Sequence, residues 1–423
     1  MYEKSIADNG LTVIASPMKD MASVSLSIWI GVGGRYEAPK ESGISHFLEH
    51  MLFKGTFTRT AKQLKEAVEG IGGAFNGFTA DEVTCYMVKV PAKYAELGAD
   101  VLADMVLNAR LDEEDVKKEK FVICEEIKMY RDQPADHVLD LLGEVMWPGN
   151  ALGRPLTGTI STVKALNGKK LADFRRENYH PANIAVIAAG KVDTEKLFGF
   201  MAERFKGEKK RQKPSFKKAR PGQKALRMKI LPKKINQTHI AMGFLAPDSN
   251  ITERIGMKLM NVIFGGNMSS RLFDHLRENK GLCYDIASSY KRHSDIGELH
   301  IHAGVDKSKT GESIAAIIDE VQRMRDSKVS ADELVRAKEY VKGQFELAME
   351  STAARMMWLG DRFMVHDHIP EVRDVIKQIN SITAGMIHEL SGKVFRGSLL
   401  NLAMIGDIRL KDRNGIRREL ARL

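Results

Sequence analysis

The chain has 423 residues, 43% hydrophobic and 28% charged, with a formal net charge of +10. That length allows two or three domains with sizeable cores, and the composition is that of an ordinary globular protein rather than a disordered or collagen-like one. No apolar run is long enough to cross a bilayer as a helix, so a membrane role is not expected.

The charge is concentrated. Residues 204–234 hold 14 Lys and Arg against one acid, Glu208, which leaves 51 basic and 54 acidic residues elsewhere. The stretch holds only two aromatics, Phe205 and Phe216, and matches no nucleic-acid module, so it reads as a solvated interdomain linker, and nucleic acid is not an expected partner. The first residues, Met1-Tyr2-Glu3-Lys4-Ser5-Ile6, lack the basic flank and apolar centre of a signal peptide. Cys85, Cys124 and Cys283 match no zinc-finger or redox spacing, and the first two sit in apolar runs. Both features predict a cytoplasmic protein.

In chain order, residues 4–16 predict a hairpin around Asp8-Asn9-Gly10, and Ser23 to Val32 a strand. Gly43 to Gly55 contains Ile44, Phe47, Leu48, Met51 and Leu52 at the spacing of a buried helical stripe, with Ser42 as the expected cap. This helix carries His46, Glu49 and His50, an H-x-x-E-H pattern. Two imidazoles one turn apart share a face and can hold one Zn²⁺, and a carboxylate beside them can take a proton from water. The pattern is the reverse of H-E-x-x-H.

A second helix opens at Thr60 with a Thr60/Gln63 capping box. Strands follow at 74–79 and 84–90, then helices at 92–108 and 112–131. In the last of these, Glu119 and Glu126 are two turns apart on one face, flanked by Val122 and Ile123, so that face is expected to be largely buried. Buried carboxylates need a cation or donors, and the histidine pair lacks a third ligand. Further helix is expected at 136–147, then a loop from Gly153 to Gly158, a buried strand at 184–190 and a helix to Phe205.

The second half repeats the pattern loosely. Strands lie near 226–230, 236–244, 283–290, 298–304 and 399–405, with helices between and no second H-x-x-E-H. His366 and His368 flank Asp367 but read as loop residues. The whole predicts two related α+β domains, 1–207 and 225–423, joined by a basic linker at 208–224.

The run His46-Phe47-Leu48-Glu49-His50-Met51-Leu52-Phe53-Lys54-Gly55-Thr56 closely resembles the signature of the M16 zinc metallopeptidases, the inverzincins, and the chain is most similar to short bacterial members related to mitochondrial processing peptidase. The family's third ligand lies 76 residues after the second histidine, where Glu126 stands, and Glu119 matches its additional acid. The resemblance implies that His46, His50 and Glu126 bind Zn²⁺. It makes Glu49 the general base of a zinc endopeptidase, and Glu119 a residue that orients a ligand or tunes the site. In Arg277-Glu278-Asn279-Lys280-Gly281-Leu282-Cys283-Tyr284, Arg277 and Tyr284 match a pair that contacts substrate and helps stabilise the reacting carbonyl.

Asn76 and Gly77 align with a strand that binds peptide through its main chain. The implied fold is a pair of domains, each an antiparallel sheet covered by helices. The implied assembly is a homodimer enclosing a chamber, with Arg277 and Tyr284 of one chain completing the zinc site of the other. The implied substrates are peptides or unfolded segments. The family also contains non-catalytic and partner-dependent subunits of heterodimers, which is the alternative.

Overall fold

The fold is that of a computed structural model, which describes residues 2–220, 222–247, 250–366, 368–408 and 412–423, the side chain of His366 excepted. The described strands are β1 Glu3–Ile6, β2 Thr12–Pro17, β3 Ser23–Ile30, β4 Ala74–Thr79, β5 Thr84–Pro91, β6 Ile184–Gly190, β7 Arg227–Pro232, β8 Gln237–Ala246, β9 Cys283–Arg292, β10 Gly297–Asp306 and β11 Leu400–Gly406. The helices used below are α1 Ile44–Leu52, α2 Ala61–Glu69, α3 Ala95–Asn108, α4 Glu113–Asp132, α5 Pro134–Met146, α6 Ile160–Ala165, α7 Gly168–Asn178, α8 Thr194–Arg204, α9 Ile251–Phe264, α10 Thr310–Asp326, α11 Ala331–Glu350 and α12 Thr352–His366.

Two compact units emerge, each from three segments of chain. The first comprises Met1–Lys128, Arg154–Lys217 and Glu346–Ile369, and the second Met129–Gly153, Lys218–Phe345 and Pro370–Leu423. The first holds a six-stranded sheet in the order β1-β2-β6-β3-β5-β4, and the second a five-stranded sheet in the order β7-β11-β8-β10-β9. Both are α+β. Each sheet is antiparallel except for one parallel pairing, β2 with β6 and β11 with β7. They are therefore mixed, where purely antiparallel sheets were expected.

Alternation along the strands makes two apolar faces per sheet. In the first unit Val24, Leu26, Ile28 and Ile30 of β3 pack with Phe47, Leu48 and Met51 of α1 and with Val101 and Leu102 of α3. On the opposite face Ile14, Trp29 and Ile187 meet Met356 and Leu359 of α12. Gly360 lets that helix approach: a Cβ there would lie 2.2 Å from the Trp29 ring. In the second unit Met242, Phe244 and Ile301 join the main core with α9 and α10. Ala241, Leu245 and Ile405 on the other face meet Val138, Leu141 and Leu142 of α5. Each sheet's second face is thus covered by a helix from the opposite half of the sequence.

Within the first unit β4 is an edge strand, running antiparallel to β5. In the second, one of the helical segments between the strands is wound as a π-helix over Phe273–Asn279.

Candidate metal centre

Helix α1 is two and a half turns long, and its apolar residues anchor it in the core: Phe47, Leu48, Met51 and Leu52 are fully buried. That burial fixes the rotation of the helix, so His46, Glu49 and His50 all emerge on its other side, half-buried. The two imidazole rings lie 4.5 Å apart. Helix α4 runs past them and supplies Glu126 and Glu119. His46 Nε2 is 3.7 Å from Glu126 Oε1, and His50 Nε2 is 3.7 Å from Glu126 Oε2.

These separations are too long for hydrogen bonds. His46, His50 and Glu126 can each present one donor atom so that all lie within 4.8 Å of one another, the one such group among the described residues. Glu126 Oε2 is buried without a hydrogen-bond partner. A half-buried carboxylate facing two imidazoles without bonding either is compatible with a cation between them, and two histidine nitrogens with a carboxylate oxygen suit Zn²⁺.

The surroundings fix the protonation states. His50 Nδ1 donates to Glu119 Oε1 at 2.8 Å, which leaves Nε2 as the lone-pair nitrogen turned toward Glu126. Glu119 is itself held by Lys54 Nζ at 2.5 Å. Burial works to raise the Glu119 carboxyl, but its bonds to His50 and Lys54 outweigh that and hold it below the usual range. Burial, with the neighbouring His50, pushes His46 down to about 4, so its imidazole is neutral near pH 7 and free to serve as a ligand. Burial also lowers His50, but Glu119 and the surrounding acids win and raise it. Burial raises Glu126.

Glu49 points to the same place. Thr79 Oγ1, on the edge strand β4, donates to Glu49 Oε2 at 2.7 Å and sets its orientation. Burial raises the Glu49 carboxyl and the Thr79 bond opposes this, with a net upward shift. A carboxyl raised toward neutrality suits proton transfer in both directions.

The other expected residues are placed as follows. Asn76 is exposed on β4, its Oδ1 accepting from the Gly77 N–H at 2.8 Å. Gly77 faces the Phe53 ring, where a Cβ would come within 3.1 Å. Arg277 and Tyr284 belong to the second unit and come together there. The guanidinium lies 4.7 Å from the Phe273 ring and 4.9 Å from the Tyr284 ring, and Tyr284 is 78% exposed.

Three expectations need correction. Ser42 does not cap α1: the cap residue is Gly43 at φ 93°, with no side-chain cap bond of its own, and the acceptor comes from Glu37 instead. Ile123 is buried beside the Glu119 face, but Val122 is 46% exposed, because it turns off the stripe toward solvent. His366 is the last residue of α12 and not a loop residue, while His368 is exposed as expected and Asp367 lies outside the described residues. Thr79, Lys54 and Glu37 escape sequence reasoning, since none belongs to the H-x-x-E-H run or to a periodic stripe.

The fold and the site define a zinc-metallopeptidase-like protein. A profile described as insulinase, peptidase family M16, matches residues 13–160, and one described as the M16 inactive domain matches residues 165–341. The chain belongs to the M16 peptidase family. An uncharacterized zinc protease of Bacillus subtilis, YmxG, is 33% identical over 401 residues, 93% of this chain and 96% of that protein. An uncharacterized zinc protease of Streptomyces coelicolor is 33% identical over 414 residues, 96% of this chain and 90% of that protein. A solved protease from Helicobacter pylori superposes with a TM-score of 0.89 at 20% identity, covering 96% of this chain and 99% of that one. A peptidase M16 inactive domain from Pseudomonas fluorescens gives 0.89 at 15%, covering 96% and 98%. The two solved structures speak to the fold.

Proposed function

We propose that this chain is a zinc-dependent endopeptidase acting on peptides or unfolded segments. The observation that carries the reading is the placement of Glu49 on the same side of α1 as two neutral-capable imidazoles, beside a half-buried Glu126 whose Oε2 makes no hydrogen bond, with Thr79 orienting it. His46, His50 and Glu126 would hold the zinc, which when bound polarises a scissile carbonyl and acidifies water. Glu49 takes the proton of the attacking water and passes it to the leaving nitrogen. Glu119 keeps His50 in the ligating tautomer.

The edge strand β4 offers main-chain groups around Asn76 and Gly77 to an extended peptide. Arg277 and Tyr284 contribute to stabilising the reacting carbonyl. In this reading residues 1–207 form the catalytic domain, 208–224 the linker and 225–423 the domain with the Arg/Tyr element. Two chains form a homodimer around a closed chamber, each supplying Arg277 and Tyr284 to the other's site. The free, buried thiols of Cys85 and Cys124 fit a reducing cytoplasm.

The test is cleavage of unstructured peptides, read by mass spectrometry with zinc present. Wild type cuts and Glu49→Gln does not. Mixing separately purified Glu49→Gln and Arg277→Ala chains restores activity if the site is shared between protomers. If zinc-loaded wild type leaves every unfolded peptide intact, the homodimeric enzyme is wrong and a partner-dependent subunit takes its place.

A further inference from the structure

Helix α1 places its first metal-binding histidine in its most vulnerable turn. Gly43 is the cap, Ser45 the second helical residue and His46 the third. The opening turn of any helix carries amide groups without intrahelical partners and frays when nothing satisfies them. Here the local sequence offers no cap. Gly43 has no side chain, and Ser42 makes no cap bond.

The acceptor arrives from outside the helix. Glu37 is buried, 6% exposed. Its Oε2 accepts the Gly43 N–H at 2.8 Å and its Oε1 the Ser45 N–H at 2.8 Å. One carboxylate therefore closes two of the open amides, including that of the residue just before His46. Burial pushes the Glu37 carboxyl up to about 7 against the opposing Ser45 and Gly43 bonds and Arg154, so near neutral pH only part of the population carries the charge that matches the helix dipole.

Glu37 is in turn held. Arg154 Nη2 donates to its main-chain oxygen at 2.6 Å. Arg154 belongs to the loop Gly153–Gly158, which lies against the start of α1 at van der Waals limits. A Cβ on Gly43 would meet the Thr157 oxygen at 2.6 Å, and one on Gly158 would meet the Ser42 oxygen at 2.2 Å. Both glycines have positive φ, 93° and 73°. The loop thus pins the turn from one side and Glu37 from the other.

We infer that Glu37 is a positioning residue for the metal centre: it holds the first turn of α1 so that His46 stays in register with His50 and Glu126. The inference rests on the zinc-site reading and adds a residue that touches neither metal nor substrate. It separates two kinds of effect. A purely structural glutamate would lower the melting temperature and leave metal affinity alone. A positioning glutamate weakens the metal even where the protein is fully folded.

The experiment is zinc affinity by chelator competition, well below the melting transition, for wild type, Glu37→Asp and Glu37→Gln. Glu37→Gln keeps the shape but offers one acceptor to two amides, and should lose about 10- to 100-fold in zinc affinity, the range for groups that support a ligand from behind. Glu37→Asp keeps the carboxyl with its two acceptor oxygens but is one methylene short, and should fall between. Affinities within twofold of wild type for both variants overturn the inference.

A second measurement needs no variant. In the metal-free wild type, the Gly43 and Ser45 amides should exchange with solvent as slowly as that of Phe47, whose N–H bonds the Gly43 oxygen within the helix at 2.9 Å. Fast exchange at both would equally overturn it. If wild type itself binds no zinc, the zinc-site reading fails, and the exchange data still decide whether Glu37 caps the helix.

Discussion

In the first unit His46, His50 and Glu126 are set by groups that bond to something else: His50 by Glu119, Glu119 by Lys54, and the first turn of α1 by Glu37. In the second unit Arg277 and Tyr284 are held by little more than each other. The guanidinium sits between two rings at 4.7 and 4.9 Å, with an ion pair to Glu278 at 3.8 Å, and Tyr284 is largely in solvent. An exposed cation–π contact is worth only about 0.5–1 kcal/mol. The metal group is pre-organised within its own unit. Under the proposed function, the Arg/Tyr pair would gain chemical value only when something covers it.

The comparison can be broken most directly at Glu49. Glu49→Gln should lower kcat by roughly 10²- to 10⁴-fold, the usual worth of a positioned acid–base group, while zinc affinity stays near that of wild type. A variant that loses zinc as well would mean that Glu49 belongs to the ligand set. Next comes Glu119→Ala, which frees the His50 ring and leaves Lys54 without its partner. Zinc affinity should fall by about 10- to 100-fold, with secondary structure by circular dichroism unchanged. Arg277→Ala should spare zinc affinity and melting temperature and reduce kcat/KM by about tenfold, less than the roughly 10²- to 10³-fold that removing a donor from a buried oxyanion hole costs. A loss of zinc in that variant would show the pair to be structural.

The legibility of the two regions differs for the same physical reason. Helix α1 was readable because its buried stripe and its chemistry share a 3.6-residue period, so His46, Glu49 and His50 fall on one side by geometry alone. Glu119 and Glu126 share a face for the same reason, but linking that face to the histidines took the family's spacing. What local pattern cannot carry is any bond made across the chain. Thr79 reaches Glu49 from 30 residues away, and Glu37 reaches over Ser42 to cap a helix that Ser42 was expected to cap. The apolar periodicity of α5 and α12 predicts both helices and is silent on which sheet each will cover. The π-helical winding of Phe273–Asn279 has no periodic signature in so short a run.

The smallest effect tests whether the second unit holds the start of its π-helix as firmly as the first unit holds α1. Arg271 lies two residues before that segment and grips Glu333 at the start of α11 with two bonds, Nε to Oε1 at 2.6 Å and Nη2 to Oε2 at 2.9 Å. The Ser330 N–H adds a third, to Oε2, at 2.8 Å. The Arg271 bond, opposed by burial and joined by Ser330, brings the Glu333 carboxyl down to about 2 from 4.5. A depressed carboxyl stabilises the folded chain fully above its unfolded value, and that contribution disappears as the pH falls from about 4.5 through about 2. Because the group keeps part of its surface in water, about 1 kcal/mol is the reasonable size. Glu333→Gln should therefore unfold more easily than wild type in urea at pH 7 and approach it by pH 3. A gap that stays constant over that range would mean that the bonds to Arg271 contribute by shape rather than by charge. The turn bearing Arg277 would then depend on packing and on the bond between His275 Nδ1 and Glu320 Oε1 at 2.6 Å.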